Sequence, residues 1–140
     1  MTDTTYNEYK KNLADAAENW PSADYRALLL VGAVTINPDH DFVAGVLAAN
    51  TEATDASYAR VALGSKTNTL DDTNDRANLD AATIDFTTLD LTTPTAMVVF
   101  RQVTNDADSP AVAVYDSNFG ATANGAGYTV TIPADLLRIS

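Results

Sequence analysis

The single histidine of this 140-residue chain stands between two carboxylates, Asp39-His40-Asp41, and such a set could serve as a general base or as part of a metal site. Adjacent side chains in a turn point apart, so a solvated loop following the Asn37-Pro38 turn signal is the expected reading. A second oxygen-rich run, Asp71-Asp72-Thr73-Asn74-Asp75, opens like a calcium loop. Arg76 then stands where an EF-hand needs glycine, and Ala82 where its closing glutamate belongs, so the run reads as a hairpin turn with at most weak divalent binding. No Gly-x-Ser-x-Gly elbow exists to present a nucleophile to His40. The only glutamates, Glu8, Glu18 and Glu52, fall in a predicted helix or a loose loop, a poor setting for a paired-carboxylate glycosidase. Gly125-Ala126-Gly127 precedes a strand instead of a helix and is no phosphate cradle. With no cysteine there is neither a disulfide framework nor a thiolate zinc site, and assembly in a reducing cytoplasm is favoured. The expectation is a protein that is not an enzyme and has no catalytic residues, cofactor or metal.

The charge balance narrows the partners. Nineteen acidic residues against eight basic ones leave a net charge of −11, spread along the chain. Only Lys10-Lys11 are adjacent, so nothing clusters cations against a phosphate backbone, and nucleic-acid binding is not expected. The polar start Met1-Thr2-Asp3-Thr4-Thr5 has no signal-peptide character, and no apolar run approaches transmembrane length, so a soluble protein without membrane contact is expected.

The elements that must position these residues read as mainly β. Thr5 and Glu8 form a capping-box pattern, and Tyr6, Tyr9, Leu13, Ala16, Ala17 and Trp20 then share one face, which predicts an amphipathic helix over residues 5–20 ended by Pro21. Residues 25–36 begin as an apolar run suited to a central strand, with Gly32 marking a bulge. Residues 42–47 are ambiguous between helix and strand, and residues 48–57 read as a mobile acidic loop. Residues 58–63 and 66–70 predict strands, and the latter form a hairpin with residues 76–79 across the Asp71–Asp75 turn. Residues 83–87 alternate polar and apolar, with residues 96–103 as the expected partner. Residues 105–110 form an acidic turn, 120–127 a flexible loop, and 111–115 and 128–132 further strands before the aliphatic end at 136–139. The fold class expected is a two-layer antiparallel β-sandwich of about eight short strands with one N-terminal helix. Residues 1–24 supply the helix and turn, residues 25–140 the sandwich, in one domain overall.

The order of these segments carries a resemblance through most of the chain. A Tyr-containing N-terminal helix, Tyr6-Asn7-Glu8-Tyr9-Lys10-Lys11-Asn12-Leu13, precedes an apolar strand, Arg26-Ala27-Leu28-Leu29-Leu30-Val31, and a Tyr-led strand, Tyr58-Ala59-Arg60-Val61-Ala62-Leu63. Most characteristic is the strand, acidic turn and strand running from Met97-Val98-Val99-Phe100 to Ser109-Pro110-Ala111-Val112-Ala113-Val114-Tyr115-Asp116, followed by a late strand and an aliphatic terminus. In this order the chain resembles small virion proteins of tailed bacteriophages, encoded among head and tail genes and often assigned as capsid decoration proteins. Pro133-Ala134-Asp135 departs from the Asn- or Gly-containing turn that many relatives keep there.

The resemblance implies a non-enzymatic structural protein, made in the host cytoplasm and located on the capsid surface of the virion. It would cement the outer surface of the major capsid lattice, with the major capsid protein and neighbouring copies of itself, as in a homotrimer, for partners. Tyr6, Tyr9, Leu13 and Trp20 are the interface anchors this implies, because aromatic side chains dominate interface energetics; the competing reading has them complete the core of the monomer. The alternative function is a tail, tail-tip or head-fibre module that recognises a host-surface ligand through loops 48–57, 71–75 or 116–127. A third is a small glycan-binding or hydrolytic domain using Asp39 or His40.

Overall fold

The computed structural model describes residues 3–56, 58–86, 89, 93–116, 127–130 and 136–139. Its architecture follows from two strands. Strand β2 (Tyr25–Val31) and strand β8 (Pro94–Arg101) are apolar at nearly every position and pair antiparallel from Tyr25 opposite Arg101 to Val31 opposite Pro94. Side chains alternate faces along a strand, so a strand apolar throughout needs cover on both sides. Tyr25, Ala27, Leu29, Met97 and Val99 enter one core, whereas Leu28, Leu30, Ala96, Val98 and Phe100 enter a second.

The sheet grows outward from this pair. Strand β9 (Ala111–Tyr115) joins β8, and β1 (Asp3–Thr5) closes that edge against β9. On the other side β2 pairs with two short strands, β3 (Thr51–Glu52) and β4 (Val61–Ala62), which completes six antiparallel strands. The pairing of Val99 with Ala113 and of Phe100 with Ala111 leaves Val112 as an extra residue, and this bulge turns both Val112 and Ala113 to the first core. Gly32, at φ +74°, lies just past the end of β2, beside the register shift between Leu30 (opposite Ala96) and Val31 (opposite Pro94).

The first face meets a second β layer. Strands β5 (Thr67–Asp71), β6 (Arg76–Asp80) and β11 (Leu137–Ile139) form one three-stranded sheet, and β7 (Ile84–Phe86) with β10 (Tyr128–Val130) a two-stranded ribbon. Leu79, Ile84, Phe86, Val130 and Leu137 from this layer pack on the first core. The second face is covered by helix α2 (Val43–Ala49) through Val43 and Val46. The fold is thus mainly β and sandwich-like, as expected, with eleven strands and two helices among the described residues.

Three expectations need correction. Helix α1 spans only Asn7–Ala14, and no side chain caps it, because Thr5 is already paired with Ala113 in the sheet. The helix stops at a left-handed residue, Ala16 (φ 54°), where Ala17 N donates to the Asn12 carbonyl at 2.8 Å and Ala16 N to the Leu13 carbonyl at 3.2 Å. Those are the two bonds of a Schellman motif. In the expected loop 48–57, of which residue 57 lies outside the described residues, Glu52 instead pairs with Leu30 in β3, and buried Ala53 donates its N–H to the Leu29 carbonyl at 2.9 Å. Strand β7 pairs with β10 and not with β8, since both edges of β8 are taken by β2 and β9. The expected loop at 120–127 lies outside the described residues except for Gly127, as do residues 131 and 132 of the last predicted strand. Helix α2 lacks a polar cap; its first N–H groups, on Val43 and Ala44, donate to the carbonyls of Ser109 and Asp106, each at 3.0 Å.

An alanine held at positive φ is strained relative to glycine, by about 1 kcal/mol or more in this region. Ala16→Gly should therefore stabilise the chain by up to about 1 kcal/mol, measured as a raised urea midpoint at unchanged m-value.

Candidate functional site

The four residues offered by the sequence as interface anchors lie in the chain's own core. Tyr6 is 1% exposed and Trp20 3%, Tyr9 is fully buried, and Leu13 packs against the first core at half burial. The physical reason is the β1 connection, which ties Tyr6 N to the Val112 carbonyl at 2.9 Å and so lays α1 across the end of the sandwich. Trp20 lies against Tyr25 with ring centroids 4.6 Å apart and planes tilted by 41°, and it donates its indole N–H to the Asp80 carbonyl at 3.0 Å, bridging the two layers. Burial raises the Tyr6 phenol to about 12.

Around Tyr9 and Tyr25 lies the most enclosed polar cluster. Tyr25 donates its hydroxyl to Glu18 Oε2, and Arg101 Nε stands 3.5 Å from Glu18 Oε1 while its Nη1 donates to the Ala17 carbonyl at 2.9 Å. Burial first, then the bond to Glu18, pushes the Tyr25 phenol far above its usual value; burial and the Glu18 charge do the same for Tyr9. The Glu18 side chain is 0% exposed, and it anchors the segment after α1 to the end of β8.

A second cluster fastens the opposite edge. Arg60 is forked between Glu52 (Nε to Oε1 and Nη2 to Oε2, both 2.8 Å) and Asp106 (Nη1 to Oδ1, 2.6 Å; Nη2 to Oδ2, 2.9 Å), and its guanidinium lies 5.3 Å from the centre of the Phe100 ring. Tyr58 donates to Glu52 Oε1 at 3.0 Å and accepts the Leu29 N–H at 2.9 Å. The bonds to both carboxylates hold the guanidinium charged, and the Arg60 bond holds Asp106 below the usual carboxylate range. Burial pushes the Tyr58 phenol up.

The residues with chemical promise are dispersed. Asp39 accepts from Asn7 Nδ2 at 2.7 Å, the half-buried His40 ring lies against Gly45, and Asp41 uses its carbonyl to hold Ala111 N at 3.0 Å. At the hairpin turn Asp71 takes Asn74 Nδ2 at 2.8 Å and Arg76 Nε at 3.0 Å, and these partners, Asn74 foremost, lower its pKa. No group of three metal-ligating side chains converges among the described residues.

Sequence reasoning missed the feature that most resembles a contact surface. Strand β5 is an edge strand, exposed on both faces from Thr67 to Leu70, and Leu70 is 82% exposed. Val103, in the turn after β8, is 50% exposed. The available signal was composition: Thr67-Asn68-Thr69-Leu70-Asp71 has strand propensity but no apolar face. No family model, curated protein or solved structure matches the chain.

Two pH experiments check these clusters. Tyr6, Tyr9, Tyr25 and Tyr58 should keep their protons at pH 10.5 in the native state, seen as a phenolate absorbance lagging that of the urea-unfolded chain. Their folded values are raised, so the stability they contribute is present below pH 10 and lost as pH rises further. Asp106 has the opposite sign: its contribution is present above about pH 4 and lost as pH falls through its lowered value. Arg60→Ala should thus destabilise most near pH 6, with the gap to the parent narrowing by pH 3 in urea melts.

Proposed function

We propose that the chain is a non-enzymatic structural protein of a tailed-phage virion, a decoration protein that binds the outer surface of the major capsid lattice and cements it. The reading rests on the resemblance in element order. One observation carries it further: the polar groups with catalytic potential, Glu18, Tyr25, Glu52, Arg60 and Asp106, are spent on holding segments together, while the surface offers an edge strand and an acidic field. A partner that binds only the assembled lattice stabilises it by mass action, and repetition over symmetry-related positions compounds the effect.

With Tyr6, Tyr9 and Trp20 committed to the core, lattice contacts fall to exposed segments. The β5–β6 hairpin with Leu70 and the turn carrying Val103 present the exposed large apolar side chains found among the described residues. The acidic surface suits a protein held at high local concentration without precipitation.

Copy number and position on purified particles test the proposal, by quantitative mass spectrometry beside antibody-labelled electron microscopy. Copies matching the lattice positions and labelled over the head are expected. A handful at the tail would instead support host-ligand recognition, and absence from particles would overturn both virion roles.

A further inference from the structure

Strand β5 carries the strongest unexplained feature of the molecule. It pairs with β6 on one side, and among the described residues no strand pairs with the other, so a row of backbone N–H and C=O groups faces outward. The turn that ends it is stiffly closed, with Asp71 bonded to both Asn74 and Arg76 and Asp75 left-handed at φ 50°. Edge strands are commonly shielded by Pro, by covering elements or by charge within the strand. From Thr67 to Leu70 there is neither proline nor charge, no described element covers the strand, and Leu70 is in water.

We propose that β5 is a self-recognition strand, pairing antiparallel with β5 of a second copy of this chain about a two-fold axis at Thr69. The occupant follows from the order of residues. In that register Thr69 faces the partner's Thr69, Thr67 faces the partner's Asp71 and Asn68 faces the partner's Leu70. Just outside the strand, Lys66 comes near the partner's Asp72, the first residue of the turn, and the symmetry repeats the pair at the other end. The edge is therefore complementary in charge to its own reverse. Lys66 Nζ donates to the Leu63 carbonyl at 3.2 Å within the chain, which leaves ammonium donors for the carboxylate. The two copies of Leu70 become diagonal neighbours on one face, ~7–8 Å apart between Cα atoms and within reach of each other's side chains, and so withdraw from water. On the other face the axis is marked by a Thr–Thr pair, a favourable cross-strand combination. Two β5–β6–β11 sheets would merge into one continuous sheet.

A strand of five residues buries little area, and two chains of net charge −11 repel, so the pairing is weak in dilute solution and favoured where copies are held close together. The pairing does not require a particular location of the protein.

The chain has no cysteine, so single cysteines report the register directly. In Thr69→Cys the two sulfurs meet at the axis, within disulfide reach; in Thr67→Cys they lie about four residues apart along the strands, ~14 Å, beyond it. Under mild oxidation of folded protein, Thr69→Cys should form covalent dimer at least about tenfold faster than Thr67→Cys. In sedimentation at high concentration, Lys66→Asp and Asp72→Lys should each lose the reversible dimer of the parent, and the double exchange should restore it. Equal cross-linking at 67 and 69, or a parent that stays monomeric throughout the concentration series, overturns the proposal and leaves the edge to a different protein.

Discussion

The pairing of β2 with β8 is the constraint from which the rest of the structure follows. Both strands are apolar on both faces, and together they bury Ala27, Leu28, Leu29, Leu30, Met97, Val98, Val99 and Phe100 completely. Each fully buried Leu, Val, Met or Phe side chain stabilises the folded state by roughly 1.5–3 kcal/mol, but only if something covers it. The second β layer meets that demand on one face and α2 on the other. Even the short strands are explained by this pair, since β3 and β4 satisfy the open edge of β2 where a buried backbone group would otherwise lack a partner.

The two polar clusters are best understood as fasteners at the ends of this central pair. Glu18 and Arg101 secure the segment after α1 to the last residue of β8, and Arg60 joins β3, the approach to β4 and the turn before β9. Charge is concentrated where chain segments of no great length must be held against a sheet they do not continue. In both clusters carboxylates and phenols hold chain segments together.

The surface that remains follows a different logic. An acidic field discourages indiscriminate association, while one short, nearly uncharged edge strand has one edge that no other strand pairs with among the described residues. Such a combination allows contact in one geometry and opposes it elsewhere.

Much of the fold was legible in the sequence. The run at β2 announced a buried strand through its nearly continuous apolar character, those at β8 and β9 through β-branched and aromatic content, and the β5–β6 hairpin was marked by its Asp- and Asn-rich turn. These are local signals, because propensity and turn chemistry act over a few residues. The partner of β7, the strand character of Thr51–Glu52 and the early end of α1 were not legible: each depends on which edges were already occupied, a matter settled between residues far apart in the chain. The aromatic stripe of Tyr6, Tyr9 and Trp20 shows the same division. The sequence by itself determined that these side chains must leave water, since their apolar area requires it. Only the tertiary structure decided that they do so within their own chain, because β1 pairs with β9 and brings the stripe onto a core that would otherwise be open.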